Sequence, residues 1–244
     1  MPLDQSEAII LRTQNLAEQD KLVVFFSREK GLVRGVAKGA RKFNNRFGSS
    51  LEPFSVVKVF YYEKERHELV TISNCDLLES YFEIMKDPKV NCAFAYLAEL
   101  TEKFSPTRAR EDLLYRLLLS LLRAARSGQS ITYLTRYFEH WLLKINGLLP
   151  DFRVCQKCHQ PVKNRAWLEP KKEGVVCEKC APEKKIELSL ALLQAINWIK
   201  KNPPELRPEV ELQPEDWKQL GRVLQSIIIY HLEDNLKTLN SFNV

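Results

Sequence analysis

Cys155-Gln-Lys-Cys158 and Cys177-Glu-Lys-Cys180, separated by eighteen residues, restrict what this chain can fold into more than any other feature. Two CxxC turns at that separation can wrap one tetrahedral zinc, and four thiolates leave no coordination position for water. The spacing therefore predicts a structural metal that ties backbone together, not a catalytic one. Two disulfides, or a redox-active CxxC pair at a helix N-terminus, are the alternative uses of the same sulfurs. Lys157 and Lys179 sit inside the knuckles and Lys163, Arg165, Lys171 and Lys172 lie between them. Their charge offsets the formal double negative charge of a four-thiolate site. His159 reads as a bystander or an outer neighbour of the site. Cys75 and Cys92 lack partner spacing and read as small buried apolar residues.

At 244 residues and 45% hydrophobic content, the chain can bury a sizeable core and is expected to hold one or two domains plus the cysteine module. The start Met-Pro-Leu-Asp-Gln-Ser-Glu has no basic segment followed by an apolar stretch, and no later run approaches the roughly 18 apolar residues that cross a bilayer. A cytoplasmic, reducing location is the expectation, in which thiolates stay available for metal.

The net charge of +6 is unevenly spread. Between Arg28 and Arg46 stand Arg28, Lys30, Arg34, Lys38, Arg41, Lys42 and Arg46 against Glu29 alone. A second basic island runs from Arg153 to Lys185 and includes Lys184 and Lys185. Clustering of this kind is the electrostatic footprint expected of a polyanion binder, and a solvated loop is its bland counterpart.

From Glu7 to Ile72 the sequence is a series of short β-branched and aromatic runs: Ala8–Thr13, Lys21–Ser27, Gly31–Ala37, Phe54–Tyr62 and Glu68–Ile72. Arg28-Glu-Lys-Gly31 reads as a hairpin turn. Five strands in so short a span suit a small closed barrel of the oligonucleotide-binding (OB-fold) type, because a flat sheet would expose edges. After Asp76 the apolar spacing becomes helical over Leu77–Met85, Val90–Phe104, Glu111–Arg126 and Ile131–Ile145, with Gly128 as a stop, and again over Leu188–Lys200 and Pro214–Leu239. The predicted class is α+β: barrel 1–80, helical domain 81–150, a four-cysteine zinc-ribbon-like module 151–185 and C-terminal helices 186–244. His140 and His231, each on an apolar helix face, are expected to be hydrogen-bonded packing residues. With eight glycines there is no phosphate-cradling loop, no serine sits in a glycine elbow, and no carboxylate cluster suggests a catalytic metal. Enzymatic activity is not expected.

Val33-Arg-Gly-Val-Ala-Lys-Gly-Ala-Arg-Lys-Phe-Asn-Asn-Arg-Phe-Gly48 combines cations for phosphates, glycines that allow close backbone approach, and Phe43 and Phe47 as ring faces for unstacked bases. Glu7-Ala-Ile-Ile-Leu-Arg12, Glu18-Gln-Asp20, Ser27-Arg-Glu-Lys-Gly31, Val36-Ala-Lys-Gly-Ala-Arg-Lys42 and Leu51-Glu-Pro-Phe54 resemble the N-terminal barrel of the bacterial recombination mediator RecO family. Tyr137-Phe-Glu-His-Trp-Leu-Leu-Lys-Ile-Asn-Gly-Leu-Leu-Pro-Asp151, leading into Cys155 and Cys158, resembles the same family, so the likeness covers nearly the whole chain.

The resemblance implies a non-enzymatic DNA repair protein of the bacterial cytoplasm and nucleoid. Such a protein binds single- and double-stranded DNA, anneals complementary strands, and works with RecR to load recombinase on strands coated by single-strand-binding protein (SSB). It also implies that Arg34, Lys38, Arg41, Lys42 and Arg46 contact DNA, with Lys21, Arg28 and Lys30 as lesser candidates, and that Cys155, Cys158, Cys177 and Cys180 hold zinc. Capture of the acidic SSB C-terminal tail is implied for the helical domain, where Arg116, Arg123 and Arg126 lie near apolar helices. An RNA-binding barrel protein of translation or transcription is the rival reading of the same basic loop and cysteines.

Overall fold

In a computed structural model, which describes residues 3–63, 67–181, 186–209, 212–232 and 236–239, five strands close on themselves. They are β1 (Leu3–Leu16), β2 (Asp20–Ser27), β3 (Gly31–Ala37), β4 (Val56–Tyr62) and β5 (Leu69–Glu79), hydrogen-bonded in the order β1-β2-β3-β5-β4 with β4 returning to β1. All pairings are antiparallel except β3 with β5. This is the small OB-type barrel that the alternating apolar runs predict, and closure leaves no open sheet edge. Ala8, Ile10, Val23, Phe25, Val57, Val59, Tyr61, Val70 and Ile72 fill the interior. Ile9, Leu11, Val24 and Phe26 alternate with them along β1 and β2 and are buried as well.

Gly31 turns the chain between β2 and β3 with φ +60°, and a β-carbon there would stand 1.9 Å from the carbonyl oxygen of Ala109. Both the positive φ and the close approach require glycine.

The helix expected over Leu77–Met85 is a strand for its first part. β5 continues to Glu79, paired through Val57↔Leu77 and Val56↔Glu79, and α1 is confined to Phe82–Met85. A ladder of backbone hydrogen bonds to β4 decides the conformation where the local apolar spacing is ambiguous. The remaining helices are α2 (Pro88–Phe104), α3 (Asp112–Arg126), α4 (Ile131–Ile145), α5 (Leu190–Lys201) and α6 (Pro214–Leu232). Asp87 caps α2 by accepting from the Lys89 N–H, with Pro88 in the first turn where a missing N–H costs nothing. Ser189 caps α5 through Leu192.

The chain divides into two compact units, the first running to Leu122 and taking back residues from Lys237 onward, the second Arg123–Leu236. Compactness therefore groups α2 and most of α3 with the barrel instead of with a domain 81–150. The causes are side-chain ties within that unit: Arg12 of β1 to Glu102 of α2, Phe54 against Phe94 at 5.3 Å, and the Tyr115 hydroxyl to Glu7 at 2.9 Å. The carboxylate of Glu99 on α2 accepts the backbone N–H groups of Lys237 and Thr238, each at 2.9 Å, which fastens the returning segment.

In the second unit a four-stranded sheet of β6 (Asp151–Cys155), β7 (Ala166–Leu168), β8 (Gly174–Cys177) and β9 (Glu187–Leu188), ordered β6-β8-β7-β9, carries the cysteine knuckles. α4 packs with α5 and α6, burying Leu134, Phe138, Leu142, Ile196, Ile199, Leu224 and Ile228. Arg136 and Glu139 form a buried pair at 3.0 Å, and Gln225 of α6 donates to Glu139 at 3.2 Å. His231 is half-buried beside Tyr230. His140 is buried, yet neither ring nitrogen has a hydrogen-bond partner among the described residues, contrary to the expectation of a bonded packing histidine. Among the described residues no helix is long and apolar enough to cross a membrane.

Candidate metal centre and nucleic-acid interface

Cys155 closes β6 and Cys177 closes β8, two strands that pair in parallel, so the sheet delivers one thiol from each knuckle to the same place. The knuckle turns deliver the others. The Sγ atoms of Cys155, Cys158, Cys177 and Cys180 all lie within 4.8 Å of one another, and those of Cys158 and Cys177 are 3.8 Å apart. Four sulfurs about 2.3 Å from a central zinc would be about 3.8 Å apart, so the cluster fits that ion. All four are free thiols in the structure.

Burial raises the Cys155 thiol, but backbone N–H groups of Cys158, Cys177 and Lys157 outweigh it and bring the thiol down to about 6. Cys180 is pushed up to about 12 by side-chain hydrogen bonds to Cys158 and Cys177. Binding a cation there would release the protons these thiols hold. Behind it Trp167 and Val176 are buried against Cys155, with Ala181 partly buried against them. Lys157 Nζ donates to the Cys180 carbonyl at 3.4 Å, which spends that cation on the knuckle itself. Lys184 and Lys185 of the expected second basic island lie outside the described residues.

Cations of the first island fall into two groups. Arg28 faces Glu7 and Asp112 at 3.8 and 3.6 Å, Lys30 reaches Asp4 and Glu63 at 2.7 Å each, and Arg34 shares Glu102 with Arg12. Carboxylates held this close already neutralise those charges. Arg34 also opens onto a different depression from the others, beside His67, Glu68 and Arg108. By contrast Lys38, Arg41, Lys42 and Arg46 are exposed and pair with no carboxylate among the described residues. Lys38, Lys42 and Arg46 line one groove of about 440 Å³ together with Gln19, Asp20, Gly39, Asn44 and Asn45. Arg41 stands at its margin, its guanidinium donating to the Ala17 carbonyl at 3.0 Å.

The loop that carries them is built, not loose. Asp20 accepts the Gly39 N–H at 2.8 Å, the Arg41 N–H bonds to the Gln19 carbonyl, and Asn45 caps the N–H groups of Phe47 and Gly48. Arg46 lies over the Phe47 ring at 4.7 Å and donates to the Ser73 carbonyl at 2.6 Å. Asp20 is thus a positioning residue that charge counting passes over, since an acid beside a basic loop reads only as dilution. Its signal was its place in Glu18-Gln-Asp20, at the β1–β2 turn.

The two phenylalanines part company. Phe43 is 100% exposed at the loop tip, whereas Phe47 is 3% exposed and belongs to the barrel core. Phe47 therefore offers no ring face to a base. The loop folds back over the barrel end, and covering that opening with an aromatic ring removes apolar surface from water.

The second unit holds a cavity of about 470 Å³ bounded by Leu149, Phe152, Val162, Leu193 and Ile196. Lys144, Lys163 and Lys200 also line it, while the Arg153 charge is held by Asp151 at 2.8 and 2.9 Å. That contact keeps Asp151 down at about 2. His140 sits in the wall, and burial, with Lys144 and Lys200 nearby, pushes it down to about 4, so the ring is neutral near pH 7. An apolar hollow with ammonium groups around it suits an acidic ligand with an apolar end. Arg116 is instead paired with Asp112.

Comparison with known proteins agrees with this architecture. The family profile described as recombination protein O N terminal matches residues 1–81, and that described as recombination protein O C terminal matches residues 85–240. The DNA repair protein RecO of Koribacter versatilis is 34% identical over 97% of this chain and 97% of its own length. That of Symbiobacterium thermophilum is 30% identical over 98% and 96%, and that of Caldicellulosiruptor saccharolyticus 26% over 99% and 98%. With profile matches to both halves and relatives aligned end to end, this chain belongs to the RecO family and has a role in DNA repair and recombination.

Proposed function

We propose that the protein is a non-catalytic DNA-annealing mediator whose contact with the strand is the loop Lys38–Arg46. The observation that carries this reading is the division of the basic island: cations set against carboxylates on the barrel wall, and a compact set without them on the loop. Only the latter can release counterions from DNA at full charge. Phe43, fully exposed among them, offers a face on which one unpaired base stacks. Two complementary strands repel through their phosphates; screening that repulsion while leaving base edges free lets pairing energy drive duplex formation. No cofactor turnover is needed. Double-stranded DNA binds through the same phosphate contacts.

Zinc is the metal we assign to the four thiols, with a structural role: when bound it supplies cross-links between the knuckles. The acidic SSB tail finds its chemical complement in the cavity of the second unit, with apolar walls for its end and Lys144, Lys163 and Lys200 for its carboxylates. Partnership with RecR in recombinase loading, and residence in the bacterial cytoplasm at the nucleoid, are carried by the family likeness alone. The test is duplex formation between complementary oligonucleotides precoated with SSB, with and without RecR and without nucleotide. Acceleration supports the proposal. A rate equal to the uncatalysed one, or a preference for RNA over DNA strands, sinks it.

A further inference from the structure

The cavity and the metal centre are parts of one construction. β6 runs through Phe152 and Arg153 into Cys155, the knuckle turns, and the chain comes back through Pro161 to Val162 and Lys163. Cys155 N–H bonds to the Gln160 carbonyl at 3.0 Å and Val162 N–H to the Arg153 carbonyl at 2.8 Å, while Val154 bridges Pro161. The result is a small hairpin whose tip is the first CxxC. Its two arms place Phe152 and Arg153 on one side, Val162 and Lys163 on the other, and all four line the cavity.

Beyond its own bonds the hairpin is tied to β8, where the Gln156 N–H donates to the Val175 carbonyl at 2.9 Å, and all of these ties converge on the Cys155 knuckle. Cys155, Trp167 and Val176 form one buried cluster of the module, whose first member is a metal ligand, beside Ala166, Leu168 and Val175 buried in the same short strands. A module built on strands of two to five residues has little core of its own, and a metal bound at the knuckles would supply part of its folding free energy. α4 and α5, which provide the opposite wall, are held by an apolar core of their own and by the Arg136–Glu139–Gln225 group. Loss of metal should therefore remove one wall and leave the other.

We infer that occupancy of the four-thiol site switches the cavity: with metal bound the hairpin completes the pocket and an acidic, apolar-ended peptide is captured, and without it the pocket is half built and capture is lost. The identity of the peptide rests on the function proposed above; the coupling between metal and pocket does not. Coupling of this kind is reciprocal, so peptide must tighten metal by the same factor that metal tightens peptide. Oxidation or alkylation of the knuckle thiols would then disconnect the protein from its partner while the barrel goes on binding DNA.

The experiment uses full-length protein, zinc-loaded, chelator-stripped and zinc-restored, with Cys158→Ser as a second route to the metal-free state. A fluorescein-labelled peptide of the acidic SSB tail reports pocket affinity by polarisation. Single-strand binding reports the barrel, and hydrogen exchange over residues 151–163 reports the hairpin without any ligand. The expected result is a loss of peptide affinity of about tenfold or more on stripping, recovered with zinc, with DNA affinity unchanged and the amides of Cys155 and Val162 deprotected. Zinc release to a chromophoric chelator should slow when peptide is present. Stripped protein that keeps both peptide affinity and amide protection overturns the inference. If loaded protein ignores the peptide but stripping still deprotects the hairpin, the coupling stands and the peptide assignment falls.

Discussion

Replacing Lys38, Arg41 and Lys42 together with alanine should weaken single-strand binding in a manner that salt reveals. Each phosphate neutralised on a single strand contributes about −0.7 to the slope of log K against log salt. Three cations that meet no carboxylate should each count in full, so the triple variant should have a slope shallower by about 2. Between 50 and 200 mM salt the wild-type protein should thus lose about twentyfold more affinity than the variant. The structure also supplies the control. Lys30 is as basic in sequence, but Asp4 and Glu63 clasp it at 2.7 Å; burial lowers its pKa and the two carboxylates more than offset that, so it stands above the ordinary lysine value. Lys30→Ala should leave the slope within a few tenths of wild type. Fluorescence polarisation with a labelled oligothymidine at five or six salt concentrations measures both. Equal slopes for wild type and triple variant, or a larger change from Lys30→Ala, would refute the reasoning.

Phe43→Ala should cost about 1–3 kcal/mol of single-strand affinity with no change in melting temperature, while Phe47→Ala should cost about 3–5 kcal/mol of barrel stability; thermal melts beside binding curves separate them. Asp20→Ala should lower DNA affinity without removing any positive charge, because Gly39 loses its anchor; an affinity above wild type, as simple charge counting expects, would contradict this. His140 has a folded pKa near 4 against an ordinary 6.5, so the unfolded chain binds the extra proton first. Stability of the helical unit should be full above about pH 6.5 and fall by up to about 3 kcal/mol as pH drops toward 4, and His140→Leu should flatten that stretch of the denaturation profile. Cys155→Ala should abolish metal binding and lower the melting transition of the second unit while oligonucleotide binding persists.

The barrel was legible because each strand is an apolar run bounded by turn residues, and Gly31 marks its hairpin. The end of β5 was not, since Leu77 and Leu78 carry no strand-specific signal and only their pairing with β4 extends the strand to Glu79. The thiol cluster was legible from spacing alone, because a CxxC turn brings residues three apart to one side of the chain. Which cations remain available was hidden: Arg34 and Arg46 look alike in sequence, yet Glu102, a partner distant in the chain, claims the first. Phe43 and Phe47 likewise differ only through where the loop folds. The lysine-bounded cavity was the least legible feature, assembled from residues 140–200 that share no motif.

The most direct test of the account is photocrosslinking of a 5-iodouracil single strand to the full-length protein, with the adducts located by mass spectrometry. The account predicts adducts within Lys38–Arg46, with Phe43 foremost. Adducts confined to the strand residues around Arg28 and Lys30, or to the second unit, would contradict it.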